Sequence, residues 1–168
     1  MNPTRMQTTS NDNVWVIRPT SVRGFIEAQR DWIDACFDVL EKPPSDVTID
    51  AALNLVTMEV NVHVLLEREL LLKACNQTLG DEWGIRIQHS HARLNKMIAG
   101  LEGDRQHPCR LEVFTPTYRA QFMQHIDLTI ECLAYSMDAA ADEQDSFIDW
   151  LLLTKFNLVN ERKELYPH

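Results

Sequence analysis

The stretch "MEVNVHVLLERELLLKA", residues 58–74, decides the fold class. Its apolar residues recur at three- and four-residue spacing, and neither Gly nor Pro interrupts them. That period belongs to a helix and not to a strand. The stretch also poses a question. Glu59, His63 and Glu67 stand at i, i+4 and i+8, stacked on one side of an apolar helix. A metal site, a buried ion-pair network, or a polar edge that the core merely grazes would each explain them.

Outward from this stretch the same period repeats. "SVRGFIEAQRDWIDACFDVLE" carries Ile26, Ile33, Phe37 and Leu40, with Ser21 as its N-cap. "KPPSD" stops that helix, because Pro43 and Pro44 cannot continue it. Asp46 or Thr48 can cap the second helix, which runs to about Cys75. A third is expected over Ile85 to Leu101. A fourth is expected from Thr115 as N-cap and Pro116 at N1 to about Ala140. A fifth follows, "FIDWLLLTKFNLVNERKEL", and "EGDRQHPCRLEVF" reads as an irregular connection between the third and fourth. Long helices joined by short breaks predict an all-α fold, an antiparallel four-helix bundle with an additional C-terminal helix. Residues 1–14 read as a polar tail and 15–168 as one helical domain.

Composition narrows the function classes. Hydrophobic residues make up 45 % and charged residues 24 %, a globular balance. Five Gly and seven Pro leave little room for an all-β fold. A net charge of −9 argues against a nucleic-acid partner. No apolar run is expected to reach the roughly 18 residues a membrane span needs. "MNPTRMQTTSNDN" has no apolar core of a signal peptide, so a cytoplasmic location and reduced thiols are expected. Cys36, Cys75, Cys109 and Cys132 form no C-x-x-C pair, and Cys36, Cys75 and Cys132 fall in apolar helical patterns.

An interior ligand must come from a seam row. The second helix offers Leu53, Val56, Val60, His63, Glu67, Leu70 and Ala74. A rival row, Leu55, Met58, Val62, Leu65, Glu69 and Leu72, is equally apolar, so the helix rotation stays open. The third helix offers Ile87, His91, Leu94, Ile98 and Leu101, with His89 on another face. The fourth places His125 with Tyr118, Phe122, Thr129 and Cys132, beside the fully apolar Met123, Ile126, Ile130, Leu133 and Met137. His125 is therefore expected at the core's margin. The first helix puts Arg30 in its apolar row. Imidazole and carboxylate converging from three helices suit iron, zinc or manganese. A hydrogen-bonded core histidine is the plainer alternative.

The chain resembles the hemerythrin family, of the bacterial single-domain kind, over roughly residues 15 to 101. Trp15, then Ile26, Glu27 and Gln29 in "FIEAQRDWI", follow that family's first helix, except that Arg30 stands where a ligand His is expected. His63 and Glu67 match its H-x-x-x-E, and His91 matches the second member of its H-x-x-x-H, with Ile87 at the first. For the last motif, "QFMQHIDLTIE" keeps His125 and Ile126, with Ile130 at the Asp position and Glu131 one residue late. "DWLLLTKFNLV" keeps Trp150 and Leu151 but has Thr154 and Val159 at the ligand positions.

The resemblance implies a non-heme iron centre that binds dioxygen. Its ligands would be His63, Glu67, His91 and His125, with Glu59 or Glu131 as replacement carboxylates. The role implied is oxygen binding, sensing or iron handling. The alternative is a metal-free interaction module in which Arg30 pairs with Glu67 and fills the site. The fifth helix, apolar on several sides from Phe147 to Val159, is then expected to meet a second copy or another protein. No nucleophile motif, phosphate loop or H-E-x-x-H pair points to an enzyme.

Overall fold

A computed structural model describes residues 19, 21–78, 81–136 and 144–165. Within its helices the side chains of 69–78, 81, 133–136, 144–147 and 161–165 lie outside the description. The tail 1–14, Trp15, Met137 and the side chains of Glu69, Cys75, Leu133 and Phe147 therefore lie outside it. The described residues form five helices and no strand. These are α1 (Val22–Glu41), α2 (Ile49–Thr78), α3 (Asp81–Gly103), α4 (Pro108–Ser136) and α5 (Gln144–Leu165). The all-α expectation is correct.

Helix starts follow local chemistry. The Ser21 hydroxyl accepts from the Gly24 N–H at 2.9 Å, and that of Thr48 accepts from the Ala51 N–H at 3.1 Å. Each satisfies a backbone donor that the first helical turn leaves without a partner. One boundary differs from expectation. Only residues 104–107 of the expected connection are irregular, because α4 already begins at Pro108, takes in "PCRLEVF" and holds Pro116 inside it. Pro108 suits a first helical position, where no N–H is required. Thr115 is not a cap. It is buried in α4, and its hydroxyl donates to the Leu111 carbonyl at 2.6 Å.

α1 to α4 close a ring in which each packs on its chain neighbour and α4 returns to α1. α5 lies outside the ring, on α2 and, more lightly, on α1. The core is built from fully buried Phe25, Ile33, Phe37, Leu53, Leu66, Ile87, Leu94, Phe122 and Ile126. Each such side chain stabilises the fold by roughly 1.5–3 kcal/mol on burial. Ile49–Arg68 is long and apolar enough to cross a membrane, but 56 % of that window is buried inside the bundle. Its apolar character is accounted for by core packing.

Two arginines tie the ring at its edges. Arg119 of α4 reaches Asp34 at 2.6 Å and Asp38 at 2.7 Å on α1. Arg105, just past α3, reaches Asp50 at 3.2 Å and Asn54 at 2.8 Å on α2. Between α3 and α4 the approach is close. A Cβ added at Gly100 would stand 2.6 Å from the Tyr118 hydroxyl, which donates to Asp104 at 3.3 Å.

Candidate metal centre

The rotation of α2 settles which row faces the core. Leu53, Val56, Val60, His63 and Glu67 are all buried, whereas of the rival row Val62 is buried but Leu55, Met58 and Leu65 are only partly so. His63 and Glu67 thus point inward, one turn apart. In α3 the row Ile87, His91, Leu94 and Leu101 is buried, and His89 is exposed. In α4 the buried row is Phe122, His125, Thr129 and Cys132, with Met123 and Ile130 only partly covered. His125 is at the centre and not at the margin, because Ile126 shares the interior without displacing it.

These rotations bring three imidazoles onto one carboxylate. His125 Nε2 stands 2.6 Å from Glu67 Oε2, and His63 Nε2 stands 3.2 Å from Glu67 Oε1. Neither approach is directed as a hydrogen bond. His63 Nε2, Glu67 Oε1 and His125 Nε2 are all buried polar atoms without a hydrogen-bond partner. His91 differs: its Nε2 hydrogen-bonds Glu67 Oε2 at 2.8 Å, from the slightly exposed side of the site. The ligand atoms of His63, Glu67 and His125 all lie within 4.8 Å of one another, a grouping that can hold a metal ion.

The far ring nitrogens are held as well. His63 Nδ1 lies 2.8 Å from the Gln29 side-chain oxygen, and His125 Nδ1 lies 3.0 Å from the Ser90 hydroxyl. With the Gln29 oxygen as acceptor, His63 carries its proton on Nδ1 and presents a lone pair from Nε2, whereas the flipped amide, whose nitrogen has no partner here, reverses both roles. Donating the second nitrogen to such a partner is the usual way a protein orients a metal-binding imidazole. The His63 ring also meets Phe122 edge-on at 5.5 Å. Burial pushes the His63 pKa below its ordinary value, against the pull of Glu67. Burial alone would raise the Glu67 carboxyl, but His125 and His63 outweigh it and hold the carboxyl well below the usual range.

The remaining expected site residues go elsewhere. Arg30 does not reach Glu67. Its guanidinium takes Asp31 at 2.9 and 3.0 Å, with its side chain 37 % exposed. The inward position of α1 belongs to Gln29, because the buried row steps from Phe25 and Ile26 by three or four to Gln29 and then to Ile33. Glu59 is buried on α2, about 12 Å along the helix from Glu67 at 1.5 Å per residue. It faces Lys155 of α5, 3.5 Å away. Glu131 is exposed and pairs with Arg86 at 3.7 Å. Neither carboxylate joins the cluster. Gln29 and Ser90 carried no sequence signal of this role, although Gln29 stands next to Arg30 in the quoted motif.

No family model, curated protein or solved structure matches the chain. The site is therefore read from its own geometry.

Proposed function

We propose that this protein binds a single non-heme iron ion through His63, Glu67 and His125, for oxygen binding or sensing. One observation carries the reading. Among the described residues five buried side-chain atoms lack a hydrogen bond, and three of them, His63 Nε2, Glu67 Oε1 and His125 Nε2, belong to the three residues whose ligand atoms lie close enough to share an ion. A buried carboxylate without a compensating cation is costly. The residue expected to supply that charge, Arg30, is paired outside the site. An external cation satisfies all three atoms at once.

Two imidazoles and one carboxylate form the donor set typical of ferrous sites that keep positions open for dioxygen. The chain's own contributions follow from its geometry. Gln29 and Ser90 fix the ring orientations of His63 and His125. Phe122 excludes water from one side of His63. His91 hydrogen-bonds Glu67 Oε2 and steadies the carboxylate. Compared with the hemerythrin pattern this is a reduced centre, for one ion and not two, since Arg30, Ile87 and Ile130 supply no ligand.

Anaerobic purification followed by metal analysis tests the reading. About one iron per chain is expected from this ligand count. His63→Ala and Glu67→Gln should each abolish it, and air should alter the visible spectrum of the parent alone. A preparation that takes up neither Fe(II), Mn(II) nor Zn(II) on titration would refute the proposal.

A further inference from the structure

In a chain of net charge −9, the outward side of α3 gathers cations. Arg86, Arg93 and Lys96, with the imidazole of His89 among them, line one wall of an open groove of about 780 Å³ between α3 and α4. The other wall belongs to α4, with Asp127 and Glu131. Arg86 is engaged, stacked on Trp83 at 4.4 Å and reaching Glu131 at 3.7 Å. Arg93, Lys96 and Asp127 make no ion pair among the described residues. The groove therefore keeps uncompensated cations on one edge and an uncompensated carboxylate on the other. Ala92 and Leu128 supply apolar surface between them.

A simple anion fits only the α3 wall and is repelled by the α4 wall. A second copy of this chain fits both. Two-fold symmetry joins a surface to itself, and a two-fold axis in the plane of contact can run in two principal directions. Across the helices, it lays α3 on α3 and α4 on α4, like charge on like. Along the bundle, it lays each α3 on the α4 of the other copy and keeps every residue at its own height. α3 and α4 run antiparallel, with Arg86 level with Glu131 and Ser90 level with His125. Arg93 therefore lies about one helical turn from the height of Asp127. A guanidinium spans that offset, and the symmetry makes the contact twice.

We infer that the α3–α4 groove is the contact of a homodimer whose two-fold axis runs parallel to the bundle. Opposite charges across the contact select this partner and this orientation. Because these pairs are solvent-exposed, the association is salt-sensitive. The inference is independent of the metal reading, since none of its residues belongs to that cluster.

Sedimentation equilibrium over a wide concentration range, in low and in high salt, tests it. The full chain should dimerise in low salt and bind itself at least about tenfold more weakly in high salt. Arg93→Asp and Asp127→Arg should each weaken the dimer by about tenfold or more. The double variant R93D/D127R should restore it. Unchanged melting temperatures and metal content would show the variants folded. Three outcomes overturn the inference: a monomer throughout in low salt, a dimer indifferent to R93D, or a charge swap that restores nothing. A monomer whose melting temperature rises with inorganic phosphate would also overturn it, and would give the groove to a small anion.

Discussion

α2 buries two glutamates on one face, eight residues apart, and the bundle treats them differently. Glu59 meets Lys155, a cation the chain supplies from α5. Glu67 meets three imidazoles, those of His63, His91 and His125. Both carboxylates are nearly sealed from water, at 5 % and 1 % exposure. The difference lies in where the compensating charge comes from. At Glu59 it is built into the fold. At Glu67 the fold supplies imidazoles, and under the proposed function a bound metal ion would supply the fixed positive charge. On the proposed reading the first carboxylate is architecture and the second belongs to a receptor.

The largest expected effect tests the first half of that contrast. Lys155→Ala leaves Glu59 buried and unpaired, so unfolding free energy should fall by about 3–5 kcal/mol, read from urea denaturation. Replacing both partners, Glu59→Leu with Lys155→Met, should be near neutral or stabilising. If the single variant were as stable as the parent, Glu59 would not depend on Lys155 and the contrast would fail.

The second half predicts an effect of metal at Glu67 alone. Anaerobic Fe(II) at about a hundredfold excess over Kd should stabilise the protein by about 2.7 kcal/mol. A rise of several degrees in Tm follows for a chain of this size. Glu67→Gln should abolish the rise, and the Glu59–Lys155 double variant should keep it. Equal responses from both would erase the distinction.

Two smaller effects sharpen it. Gln29→Ala removes the acceptor behind His63 and should weaken metal binding by about 10–100-fold while the helix content stays unchanged. Circular dichroism beside a metal titration separates the two. The Glu59 side also has a pH signature. Burial, and then the charge of Glu59, push the Cys36 thiol up from 9.0 to about 12. The unfolded chain loses that proton first, so the stabilisation is fully present below pH 9 and is lost as pH rises towards 12. Between pH 8 and pH 10 the metal-free parent should lose on the order of 1 kcal/mol more than Cys36→Ala does.

Helix number and type were legible because the 3.6-residue period is local and Pro43, Pro44 and the caps punctuate it. The His/Glu cluster was legible in its α2, α3 and α4 members, since His63, Glu67, His91 and His125 interrupt otherwise apolar rows. The phase of α1 was not. Arg30 fits a row through Ile26 and Ile33 as well as Gln29 does, and only packing against α2 and α4 chooses between them. Glu59 was legible as a buried acid but not by its partner, because Lys155 lies far along the chain on a helix whose docking no local pattern specifies. Proline misled once. Pro116 marks a helix start in many sequences, but here Pro108 already holds that place.

Gly100 has a reach beyond its own turn. The Tyr118 hydroxyl donates to Asp104, so swinging aside for a larger residue would break that bond. The missing side chain at this point works as a gauge block between α3 and α4. Ser90 and His91 sit farther along the same α3 rod, and His125 sits on the facing one. A methyl group inserted at position 100 would act as a wedge, and the rods would splay. The tolerance of the chemical site is thus machined, in part, at a place that never touches it.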